Sequence, residues 1–163
     1  MEARSSTGTA PSRSEVVEAV LGASRVLVAV AARSLAEVAE DVTLPQYRAL
    51  VVLSSRGPQR VASLAELLAV TPPTATRMCD RLERKGLIRR RSARQDRREV
   101  RVSLSPAGQE LVAEVTARRR DEIAHLLDRI ASDDQARMVE LFGELADAAG
   151  EVADRQWVED WEL

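Results

Sequence analysis

Residues 68–104, LAVTPPTATRMCDRLERKGLIRRRSARQDRREVRVSL, restrict the fold more than any other stretch of the chain. Thr71 precedes Pro72, and proline suits the first position of a helix because an N–H there would have no partner. Good helix formers run on to Lys85. Gly86 then stands where a helix end accepts a left-handed residue. Beyond it the period changes. Val100, Val102 and Leu104 alternate with Glu99, Arg101 and Ser103, which predicts a strand with one buried face. Residues 87–91 supply its partner strand, and the polar residues 92–98 its tip. Upstream, Leu64, Leu67 and Leu68 mark a short helix, joined to the next by the turn Ala69-Val70-Thr71. Helix, tight turn, helix and hairpin is a DNA-binding arrangement when the second helix has a basic outer face.

That face is present. From Arg77 to Arg101 eleven cations oppose four acids, a net charge of +7 in a chain whose net charge is −2. A positive block inside a mildly acidic protein points to a polyanion, with double-stranded DNA first. At about 100° per residue, Ala75, Met78, Cys79 and Leu82 share one side of the helix, and Thr74, Arg77, Arg81 and Arg84 the other. Arginine can bridge the two acceptors of guanine, and threonine can meet a base edge or a thymine methyl. The helix start does most of the reading, which favours Thr74 and Arg77. The hairpin tip adds Arg94, Arg97 and Arg98, suited to the negative potential of a narrow minor groove. Asp96 beside them can orient an arginine.

The rest of the chain reads as helices. Capping boxes at Ser12/Glu15, Thr43/Gln46, Ser63/Glu66 and Ser132/Gln135 predict four helix starts, and Ser105 before Pro106 another. The order is helix, helix, helix, helix, hairpin, helix, helix. Aromatic content of 2% leaves the core to Leu, Val and Ala. The most apolar run, residues 26–32, is far short of the ~20 residues that span a bilayer, so no membrane role is expected. Residues 1–13 are read as a flexible arm. The lone cysteine, Cys79, excludes an internal disulfide and suits a cytoplasmic protein. One His, one Cys and one Tyr make a thin set for catalysis. With no Gly-rich phosphate loop and no metal-ligand spacing, neither an enzyme, a cofactor nor a metal is expected. An alternative is a helical adaptor that binds a protein through the acidic C-terminal arm, since residues 121–163 carry a net charge of −10.

Residues 44–111 resemble the multiple-antibiotic-resistance regulator (MarR) family of bacterial transcription factors. The likeness runs through LPQYRALVVL, SLAELLAVTPPTATRMCDRLERKGLIRR and DRREVRVSLSPAGQEL, with Asp96-x-Arg98 and Leu-Ser-x-x-Gly at residues 104–108 its most specific parts. The resemblance implies a mainly α fold with a β-hairpin wing. Residues 41–105 would form the winged helix-turn-helix lobe, and residues 14–40 and 106–163 a helical dimerisation lobe. It implies a homodimeric repressor of a palindromic operator. Thr74, Thr76, Arg77 and Arg81 would enter the major groove. Arg97 and Arg98, the latter oriented by Asp96, would enter the minor groove, and Ser63, Thr71, Arg84 and Arg94 would meet the backbone. Family members respond to small aromatic or anionic effectors, for which Tyr47 and Arg48 are candidate contacts. Ala69 departs from the family, which often has glycine there. Cys79 and His125 are read as structural or surface residues, and Trp157 and Trp161, four apart, as packing on the dimer lobe.

Overall fold

The computed structural model describes residues 10–92 and 100–151. The hairpin residues Arg94, Asp96, Arg97 and Arg98, and both tryptophans, lie outside them. Helix α1 (Arg13–Val38) opens with the Ser12/Glu15 capping box, and α2 (Leu44–Arg56) with the Thr43/Gln46 box. A two-residue strand β1 (Gln59–Arg60) leads into α3 (Val61–Leu67), followed by α4 (Pro72–Arg84), β2 (Ile88–Ser92), β3 (Val100–Leu104), α5 (Pro106–Leu127) and α6 (Ser132–Ala148). The fold is thus mainly helical with one small sheet. Among the described residues no helix is long and apolar enough to cross a membrane.

Two expected capping boxes do not form. Helix α3 begins at Val61, with Arg60 at its N-cap, so Ser63 lies inside the helix. The reason is β1, which sequence periodicity misses because two residues carry no period. Pairing of Arg60 with Arg101 delivers the chain straight into the helix. Helix α6 has Ala131 at its N-cap, not Ser132. The Gln135 side chain turns back instead, donating to the carbonyls of Leu127 (3.0 Å) and Ile130 (2.8 Å). It thereby ties the end of α5 and the link after it to the start of α6.

The sheet order is β1-β3-β2, antiparallel throughout, with Ile88 opposite Leu104 and Ser92 opposite Val100. Of the alternating apolar residues only Val102 is fully buried. Val100 is exposed, because at that point the hairpin has run past the helices that cover its base.

One hydrophobic cluster unites the helix-turn-helix with its neighbours. It holds Leu50, Leu53, Leu64, Leu82 and Ile88, together with Leu35 from α1 and Val112 and Val115 from α5. The end of α1 and the start of α5 therefore belong to the same core as the DNA-binding elements. The two ends of the molecule differ. On α1, Val16, Val17, Val20 and Leu21 are exposed. On α6 no residue is buried, and Val139 (76% exposed), Leu141, Phe142 and Leu145 face solvent. Single exposed apolar side chains are ordinary, but a contiguous apolar face is not.

Candidate nucleic-acid interface

The turn that aims α4 is built at the end of α3. The Val70 N–H donates to Ala65 O and the Ala69 N–H to Glu66 O, both at 3.0 Å, a Schellman closure. Ala69 takes the left-handed position, with φ of 52°. Alanine does not change the turn here; it accepts the strain that glycine would avoid. Thr71 is the N-cap of α4, but its hydroxyl makes no backbone cap bond. It lies 2.9 Å from the Thr74 hydroxyl, and Arg77 donates to that same Thr74 oxygen at 3.4 Å. Thr71, Thr74 and Arg77 thus form one polar chain across the first turns of the helix. Thr76 donates its hydroxyl back to Pro72 O at 3.0 Å.

The division of α4 into two faces is as the sequence predicts. Ala75, Cys79 and Leu82 are fully buried, whereas Thr76, Arg77, Arg81 and Arg84 are exposed and Thr74 half-buried. Arg77, Arg81 and Arg84 pair with no acid among the described residues; Arg84 donates to Asp80 O at 3.3 Å. The helix ends as expected at Gly86 (φ 72°), with Leu87 N–H bonded to Leu82 O. Arg89 and Arg91 on β2 are exposed as well.

Among the described residues of the block, Lys85 and Arg90 are used internally, which a count of charges does not reveal. Lys85 binds both the carbonyl and the carboxylate of Asp41, in the link between α1 and α2, and that bond holds the Asp41 carboxyl below its ordinary range. Arg90 on β2 reaches back to α4, donating to Asp80 at 2.6 Å and Glu83 at 2.7 Å. The Asp80 hydrogen bond raises the Arg90 pKa above its ordinary value.

Other candidate residues fall elsewhere. Ser63, on the first helix of the helix-turn-helix, lines an open groove with Ser55, Arg56, Gln59, Glu66 and Leu67. Tyr47 is buried, its hydroxyl 3.4 Å from that of Thr116, while Arg48 beside it is exposed. Arg48 makes a two-pronged bond to Glu151 at 2.8 and 2.5 Å, and Arg56 donates to Gly150 O at 2.5 Å. The far end of α6 is thereby tied to α2. Burial pushes the Cys79 thiol up, away from the reactive thiolate. His125 is exposed on α5, its Nδ1 2.7 Å from Asp121 O, and no cluster of metal-ligating side chains occurs among the described residues.

A further position explains the Leu-Ser-x-x-Gly motif. Ser105 caps α5 by accepting from Gly108 N–H (3.0 Å) and donates to Gly86 O (2.5 Å), while its own N–H donates to Leu87 O (3.1 Å). Gly108 sits so close to the Leu87 carbonyl that a Cβ there would overlap it. The hairpin base, the end of α4 and the start of α5 meet at one glycine.

Comparison with known proteins agrees with this geometry. The MarR family profile matches residues 42–100. The chain is 34% identical over 110 residues to the HTH-type transcriptional repressor MdtR of Bacillus subtilis (strain 168), covering 68% of this chain and 71% of that one. It resembles the crystal structure of RV1404 from Mycobacterium tuberculosis with a TM-score of 0.82 and 39% identity, over 90% of this chain and 99% of that one. A MepR variant of S. aureus bound to an oligodeoxyribonucleotide has the same fold, with a TM-score of 0.59 and 22% identity over 85% of this chain and 99% of that one. With its helix-turn-helix, wing and basic outer face in place, the chain belongs to the MarR family of DNA-binding transcriptional regulators, and is not an enzyme.

Proposed function

We propose that the protein is a homodimeric repressor that recognises a palindromic operator in the cytoplasm. The observation that carries this reading is the outer stripe of α4: Thr74, Arg77 and Arg81 project from a helix whose opposite side is wholly committed to the core. In the reading, Thr74, Thr76, Arg77 and Arg81 enter the major groove, while Ser63, Thr71, Arg84 and Arg94 hold the phosphates. Arg97 and Arg98, with Asp96 orienting the latter, reach the minor groove. Lys85 and Arg90 take no part in DNA contact.

A second copy covers the apolar faces of α1 and α6. The dimer lobe comprises residues 14–40 and 106–163, and the DNA lobe residues 41–105. Two-fold symmetry then presents the two α4 helices to successive major grooves, about 34 Å apart. A small aromatic or anionic effector would act at Arg48, where its carboxylate competes with Glu151, with Tyr47 behind it in the core.

The test combines a salt titration of DNA affinity, sedimentation and thermal shift. Affinity for duplex DNA falls steeply with salt if arginines displace counterions, with a slope of about one per phosphate contact. Leu141→Arg on α6 yields a monomer in sedimentation and loses operator binding. A wild-type monomer at micromolar concentration contradicts the dimer, and affinity indifferent to salt contradicts the phosphate contacts. Thermal shift with phenolic acids tests the effector; no shift with any of them removes it from the reading.

A further inference from the structure

We propose that Arg90 is a positioning residue, one that locks the wing to the reading helix, and that Asp80 and Glu83 serve DNA binding as its acceptors despite their charge. The inference rests on the placement of α4 and the wing proposed above. Asp80 and Glu83 are three residues apart and so share a stripe of α4, roughly a third of a turn from the stripe of Thr74, Arg77 and Arg81. That flank looks toward β2. Arg90 lies on β2 directly opposite Val102 of β3, the one fully buried residue of that strand. Its guanidinium fork spans both carboxylates, at 2.6 and 2.7 Å, and only 28% of its side chain is exposed.

A planar fork bridging two acceptors on another element fixes direction as well as distance, which a single ammonium cannot do. Residues on either side of Arg90, namely Arg89 and Arg91, point outward. The strand therefore alternates between displaying cations and anchoring itself. Two acids placed beside a DNA-binding stripe repel phosphate. Arg90 neutralises that repulsion and converts it into a joint between the two DNA-contacting elements.

The test measures Kd and its salt slope on the duplex that the wild-type protein enriches from a randomised library. The variants are Arg90→Lys, the double variant Asp80→Asn/Glu83→Gln, and Asp80→Asn alone, which keeps the Glu83 arm should the double variant fail to fold. Folding is checked by circular dichroism. If Arg90 is a lock, Arg90→Lys weakens binding about ten-fold with charge unchanged, the scale of one misdirected groove contact. The acid-neutralised variants also bind more weakly, and with a shallower salt slope, although their net charge has become more positive. If Arg90 merely adds charge, Arg90→Lys binds like the wild type and neutralising the acids tightens binding; either result overturns the proposal. A lower melting temperature with Kd unchanged in folded protein also overturns it. Arg77→Ala in the same series separates the two readings. If it leaves Kd untouched, the placement of α4 fails; if it weakens binding while the acid variants do not, the lock alone fails.

Discussion

Gly108→Ala opposes two effects whose magnitudes decide the sign. In a helix, alanine is favoured over glycine by about 1 kcal/mol. At this position, however, the new Cβ would lie far inside van der Waals contact of the Leu87 carbonyl oxygen, 3.1 Å from its carbon and 3.3 Å from Leu104 Cδ2. An ordinary carbon–oxygen approach is about 3.3 Å, so the first turn of α5 must retreat by roughly 1 Å. That carbonyl accepts the Ser105 N–H, and Ser105 both caps α5 and holds Gly86 O. Retreat weakens all three bonds. Losing a cap costs about 1 kcal/mol, a buried unpaired backbone group about 1–3, and overpacking about 1–3. Some of these overlap, so the net is a loss of about 2–4 kcal/mol after helix propensity is subtracted. For a chain of this size that lowers the melting temperature by roughly 5–15 °C. Thermal denaturation followed by far-ultraviolet circular dichroism, at fixed protein concentration, measures it. A variant melting at or above the wild type would refute the claim that this glycine is held by close approach.

Other consequences are smaller or opposite in sign. Ala69→Gly relieves a left-handed alanine at an exposed site and should stabilise by about 0.5–1 kcal/mol, since the strain of about 1–2 exceeds the added unfolded-state entropy; chemical denaturation showing a loss would be inconsistent with the turn described. Glu151, bound to Arg48, has a lowered pKa, so its contribution is present at neutral pH and disappears as pH falls through that lowered value. The stability gap between wild type and Glu151→Gln should therefore be small at neutral pH, because the pair is 46% and 41% exposed, and should close in acid; a gap that widens in acid contradicts the pairing. Cys79, buried in the core with its thiol pushed up, should resist thiol reagents in native protein and react on unfolding; fast labelling of folded protein would place it at the surface.

Much of the fold is written locally. Thr43 with Gln46, Ser105 before Pro106, and Gly86 each mark a helix end because the relevant bonds join residues within a few positions. The same logic fails at Ser63 and Ser132, neither of which is an N-cap: a strand pairing carries the chain into α3 at Arg60, and Ala131 precedes α6 while Gln135 reaches back toward α5. The site was legible as a stripe, since helical period alone separates Thr74, Arg77 and Arg81 from Cys79 and Leu82. It was not legible as a circuit. Arg90 and Lys85 look like two more cations in a basic run, and only distance shows that each is bound to acids. Gly108 is similar: its motif is visible, but its reason is a carbonyl twenty-one residues earlier in the chain, at Leu87.

The proposed repressor depends above all on base reading by the exposed start of α4. The most direct test is the affinity of wild type and Arg77→Ala for every single-base-pair variant of the selected duplex. The wild type should discriminate by about 1–3 kcal/mol at a position repeated symmetrically in both half-sites, and Arg77→Ala should abolish discrimination there alone. Uniform loss of affinity across all duplexes, with discrimination intact, would contradict it.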